Sequence, residues 1–210
     1  MRTFVSILLI ALTTACTAKQ DSSQTQDTTA ASSTPAAADT GAPISSTESA
    51  VAPEVNPPGD IPDSQAFVNY ENTSGGYQLE TPEGWARTEA GSGVKFINKF
   101  DGVSVAIARV GAAPTLASAR ANEAKQIQTK GRAVTITGIS EANLPAGKAI
   151  VIKYTSNSEP NPVTKRQIRL ENVAYLFQQN GKEATLTVWA PKGADNVDQW
   201  NRMSGSFHWL

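Results

Sequence analysis

The chain has one cysteine and one histidine in 210 residues. One thiol closes no internal disulfide, so no disulfide framework holds the fold. Zinc sites take several Cys or His ligands, which Cys16 and His208 cannot supply. His208 stands two residues from the end of the chain, so any triad that uses imidazole rests on it alone. Charge is also sparse. Charged residues make up 18% and the formal net is −1. That balance excludes the basic footprint of a nucleic-acid binder and a polybasic grip on anionic lipid. The apolar run Phe4–Leu12 is far shorter than the roughly twenty residues a spanning helix needs.

Catalytic motifs are missing as well. There is no Gly-x-Ser-x-Gly elbow. Gly91-Ser92-Gly93 lacks both the dinucleotide spacing and the P-loop ending and reads as a loop. Glu71, Glu80, Glu83 and Glu89 are near one another in sequence, but nothing in their spacing sets two carboxyls across a substrate. Asp101, Asp195 and Asp198 make no EF-hand pattern. The sequence therefore predicts no catalytic residues, no cofactor and no metal site.

What is present begins with an address. Met1-Arg2 is a short basic start, Phe4–Leu12 is an apolar core, and small residues follow it. Leu12-Thr13-Thr14-Ala15-Cys16 resembles the lipobox of bacterial lipoproteins. The departure is Thr13, where leucine is commoner. The resemblance implies a signal peptide over residues 1–15, diacylglycerol on the Cys16 sulfur, and a chain held by that lipid outside the cytoplasm, at the cell membrane or the outer membrane. Thr17, a non-Asp residue after the cysteine, permits outer-membrane delivery in a two-membrane cell by the same resemblance. Each buried methylene contributes about 0.8 kcal/mol, so two or more acyl chains hold where one would not.

From Cys16 to residue 65 the chain is rich in Ser, Thr, Ala, Pro and Gln, and no aromatic residue occurs. Such a segment buries too little apolar surface to offset the entropy of ordering it. It reads as a flexible tether with a root-mean-square span of about 35–40 Å.

Residues 66–210 read as one compact domain. Tyr77-Gln78-Leu79-Glu80-Thr81 alternates as a strand and Pro82-Glu83-Gly84-Trp85 turns it. Val94–Ile97 and Val103–Val110 are further strands, with a hairpin turn expected at Asp101-Gly102. Ser104, Ala106 and Ala108 leave one face of the second strand small, which predicts a close-packed neighbour. Pro114–Gly131 is the clearest helix, capped by Thr115 and marked by Leu116, Ala124 and Ile127. Strands follow over 133–140, 148–156, 165–179 and 184–190. Ala149–Ile152 and Val173–Phe177 are apolar on both faces, which predicts cover on both sides. Asn180-Gly181 is a hairpin turn. A last helix over 196–203, capped by Asp195, sets Val197, Trp200 and Met203 on one face. Trp85, Trp189 and Trp200 read first as core or turn packing. Trp209 and His208 read either as an exposed tail that contacts a partner or as a packed terminus. The fold class is α+β: a mostly antiparallel sheet sandwiched by helices.

The order of these features over residues 75–208 resembles the PsbP-like group. That fold is shared with the Ran-binding protein Mog and with mycobacterial LpqN-type lipoproteins. The matching pieces are Tyr77–Trp85, the Val103–Val110 strand, the long helix, the late hairpin and the closing helix ending in Ser206-Phe207. The resemblance implies docking or accessory work more often than catalysis. The expectation is a non-enzymatic accessory lipoprotein. Its partners would be membrane lipid through acylated Cys16 and an envelope protein met by a sheet edge or helical face, with no nucleic acid. The alternative is a small-ligand carrier or sensor with a pocket between sheet and helix.

Overall fold

The computed structural model describes residues 48–210. The expected signal peptide, Cys16 and the expected tether up to residue 47 lie outside the described residues.

The domain begins with a small hairpin, β1 (Phe67–Asn72) and β2 (Tyr77–Pro82). A larger sheet follows. Its strands are β3 (Ala86–Ala90), β4 (Gly93–Asn98), β5 (Asp101–Arg109), β6 (Arg132–Leu144), β7 (Gly147–Asn157), β8 (Arg169–Gln179) and β9 (Lys182–Pro191). All seven pair antiparallel in the order β3-β4-β5-β9-β8-β7-β6. Helices α1 (Leu116–Ala121) and α2 (Glu123–Lys130) lie between β5 and β6 in sequence, and α3 (Val197–Ser206) follows β9. A two-residue strand, β10 (His208–Trp209), returns to pair with β2.

Side-chain alternation divides the core into two layers. Val103, Val151, Val173, Phe177, Leu186 and Val188 point to one side of the sheet, where Trp200, Met203 and Phe207 meet them. Phe177 and Phe207 stack with ring centroids 4.7 Å apart, and Tyr77 of the small sheet stacks on Phe207 at 5.7 Å. Ile150, Ile152, Ala174 and Leu176 point to the other side, beneath Ala119 and the half-buried Leu116 and Ile127. The strands that read as apolar on both faces are therefore covered on both faces, and the architecture is the expected α+β sandwich.

Several local expectations change. The predicted single helix is two, because Asn122 sits between them at φ −118°, ψ −71°. Asparagine is a weak helix former that favours caps, and Asn122 is at once the C-cap of α1 and the N-cap of α2. Thr115 caps α1 as expected, in a reciprocal box with Ser118. The β4–β5 turn is Lys99-Phe100 and not Asp101-Gly102, since Asn98 pairs with Asp101. The last helix is capped by Asn196 and not Asp195; the Asn196 amide instead ties down the upstream chain. Val197 lies off the buried face and is exposed, while Trp200 and Met203 are buried.

The largest change concerns residues 48–65, which composition places in the tether. Here they are strapped to the domain. Ile61 is buried, its N–H donating to Asn196 Oδ1 at 2.6 Å, and Asn196 Nδ2 donates to the Gly59 carbonyl at 2.8 Å. Gly59 has φ +139°, and a Cβ there would meet Pro191 Cδ at 2.7 Å, so the close approach requires glycine. Hydrogen bonds from buried polar groups of the domain hold this stretch where apolar content is low.

Candidate functional site

The helices cover only part of the sheet. α1 and α2 sit over β6, β7 and β8, but on β5 of the same face Ser104 is half-buried and Ala106 and Ala108 are exposed. The small face of β5 therefore has no close neighbour among the described residues, contrary to the sequence expectation. Register explains what lies there instead. Ile97, Gly102, Trp189 and Asn172 form one cross-strand row through β4, β5, β9 and β8. A Cβ on Gly102 would fall inside the Trp189 indole, so the ring lies flat across the glycine. The next row brings Lys95, Ser104 and Thr187 together.

At the Trp189 end of these rows the surface sinks into a cleft of about 440 Å³. Trp189, Leu170 and Asn172 line its base. The β4–β5 hairpin forms one bank with Lys95, Ile97, Lys99 and Phe100, and the loop Ser158–Pro162 forms the other. Lys95 Nζ stands 5.9 Å from the Trp189 ring centroid, within cation–π range. Neither Lys95 nor Lys99 forms an ion pair with a described residue. Asn172 is buried, and its Nδ2 donates to Ser156 Oγ at 3.0 Å.

The loop bank is fixed by a charged network. Arg132 donates through Nε to Glu159 Oε2 at 3.0 Å and through Nη1 to Glu48 Oε2 at 2.8 Å. Asn157 and Gln167 donate to Glu48 Oε1 at 2.9 and 2.6 Å. Burial opposes the Glu48 charge, but the three donors outweigh it and hold its carboxyl below the usual range. Behind it, Arg169 is buried among neutral acceptors: the Ala133 carbonyl, Asn157 Oδ1 and Thr155 Oγ1. Glu48 thus pins the start of the described chain beside the cleft.

The residues weighed in the sequence fall as follows. Cys16 lies outside the described residues. Glu71, Glu80, Glu83 and Glu89 do not converge: Glu80 pairs with Arg202, while Glu89 pairs with Arg87 and accepts from Tyr70. Asp101 is buried under the Gly59-Asp60 strap. Burial, then the charge of Asp60, pushes its carboxyl up to about 7. Among the described residues no three His, Cys, Asp or Glu side chains gather at ligand spacing. No described helix is long and apolar enough to cross a membrane. Trp85 and Trp200 are core residues, whereas Trp189 is half-buried and lines the cleft. The tail packs: Trp209 stands edge-on to Phe207, and His208 accepts from Gln78 Nε2 and donates through Nδ1 to the Ser206 carbonyl. The lysines and the Glu48 network were missed, because Lys95 reads as an ordinary wet position between Val94 and Phe96.

No family model matches the chain, and no curated protein does. Solved structures give partial likenesses. The solution structure of cyanobacterial PsbP from Synechocystis has 17% identity over 73% of this chain and 99% of that one, with a TM-score of 0.47. The Saccharomyces cerevisiae Ran-binding protein Mog1p has 10% identity over 69% and 96%, also with a TM-score of 0.47. A Bacteroides thetaiotaomicron protein has 11% identity over 68% of this chain; the chain spans 48% of that protein, with a TM-score of 0.45. The two families named from the sequence order, PsbP and Mog, are thus both among the structures this chain partly resembles.

Proposed function

We propose that the protein is an extracytoplasmic lipoprotein held by acylated Cys16. Its domain is a non-enzymatic accessory module that docks an envelope protein. The observation that carries this reading is the open part of the seven-stranded sheet, where small residues on β5 and β9 adjoin the cleft and no helix of the described chain covers them. The sheet edges are poor docking sites by comparison. β3 is short, wholly exposed and charged, and β6 is broken by two register shifts, both devices that blunt edge pairing. The open face therefore replaces the edge or helical face expected from the sequence.

A substitution that fills the face tests it. Ala106→Arg, at an exposed position, abolishes copurification of the partner after crosslinking in cells, while Val197→Arg on α3 leaves it intact. Loss with Val197→Arg and retention with Ala106→Arg would move the docking surface to the helix.

The alternative, a small-ligand carrier, draws on the volume of the cleft, which is within the usual range for ligand sites. One molecule copurifying with the chain in place of any protein would select it.

A further inference from the structure

We propose that the cleft receives an acidic, extended segment of the docked partner, with an apolar side chain of that segment seated on Trp189 and its carboxylates against Lys95 and Lys99. This rests on the reading of the open sheet face as the docking face.

Charge complementarity is the first argument. The cleft presents two lysines that form no ion pair with a described residue, Lys99 acting only at longer range on the buried Asp101, and its single acid, Glu159, is already engaged by Arg132. An incoming cation meets repulsion there; an incoming carboxylate meets two ammonium groups. The base supplies the second argument. Trp189 is held flat by Gly102 and offers a rigid apolar surface that costs little entropy to cover. Phe100 is exposed on one bank, and Val163, also exposed, follows Pro162 at the lip of the other. Shape is the third. Small-molecule sites bury most of their ligand's surface, whereas this cleft opens to solvent and adjoins the row of Lys95, Ser104 and Thr187, the last two half-buried. A trough of that kind suits a length of chain.

Backbone strain marks the same place. Lys99 has φ +55° in its two-residue turn, a left-handed conformation that disfavours side chains other than Gly, Asn or Asp. Outliers of this sort cluster where a side chain is needed for contact. Lys99→Gly therefore keeps or raises stability while weakening binding.

The test titrates the full-length chain with the peptide acetyl-Glu-Asp-Phe-Asp-Glu-amide and follows amide and indole N–H resonances. The expected result is shifts at Lys95, Gly102, the Trp189 indole and the Asn172 side chain. Affinity should fall at least about tenfold in the Lys95→Glu/Lys99→Glu double variant and with rising salt. Both lysines are exposed; Lys95→Glu alone, which keeps the Lys99 charge near the buried Asp101, should show part of the same loss. Equal binding of acetyl-Lys-Lys-Phe-Lys-Lys-amide, or shifts confined to other surfaces, would overturn the proposal. So would benzoate binding as tightly as the peptide, which would make the cleft a small-anion site. If the double variant still copurifies its partner, docking stands and the acidic segment is rejected. If the unsubstituted chain captures none, docking itself fails.

Discussion

Asp101 is a side chain whose charge works against the fold, as is the buried Glu183, whose carboxyl burial also pushes up. The Asp101 carboxyl is buried with one oxygen lacking a described partner, and its value of about 7 stands well above the 3.8 of a free aspartate. A raised folded-state value means that folding favours the protonated form. The associated stability is therefore complete below about pH 4 and is lost as pH rises through about 7. A shift of that size corresponds to up to about 4 kcal/mol. Asp101→Asn should flatten the fall and stabilise the protein above pH 7, which urea unfolding at pH 4 to 8 will show. Glu48 acts in the opposite sense, because its folded-state value is lowered: its contribution is present above the usual carboxylate range and is lost at lower pH. Glu48→Gln removes the charge that faces Arg132 and should cost on the order of 1–3 kcal/mol at neutral pH. Hydrogen exchange should then rise first at Val51, whose N–H donates to Asn157.

At the scale of elements, the helix pair is the thinnest layer. α1 has six residues, too few to persist without its cap and its contacts. Thr115→Ala removes the Oγ1 that accepts from the Ser118 N–H, leaving only the Thr115 N–H to Ser118 half of the capping box, and should cost about 1 kcal/mol, read as faster exchange at Ala119 than in β8. The same elements show what the sequence made legible. Ala149–Ile152 and Val173–Phe177 announced two-sided burial because all their positions are apolar. Asn180-Gly181 announced its hairpin because both residues tolerate positive φ, and both adopt it at +52° and +74°. β1 and β3 were not legible. β3 reads Ala-Arg-Thr-Glu-Ala and is fully exposed, so no hydrophobic period marks it. The strap escaped for the complementary reason: polar side chains on residues a hundred positions away hold it, and composition carries no trace of them. The cleft is legible only once register sets Gly102 beside Trp189.

At the scale of the whole molecule, the proposed lipid at Cys16 and its spacer lead to a domain whose described chain starts beside its own cleft. Cys16→Ser should abolish labelling by radioactive palmitate and release the protein from the membrane fraction. Persistent labelling would remove the lipid from the account. With Glu48 pinned to Arg132, residues 48–65 are subtracted from the tether that composition gives, so the reach expected of the domain is shorter. Glu48→Gln should lengthen that reach, seen as crosslinks from the domain to more distant membrane proteins. The proposed docking through the open sheet face is what joins these parts to a partner. The most direct measurement places a photo-crosslinking residue at Thr187 on that face, or at Lys153 on the opposite face of the sheet, in the full-length lipoprotein in living cells. One discrete protein adduct is expected from position 187 and none from 153. Adducts from 153 alone, or from neither position, would contradict docking through the open face.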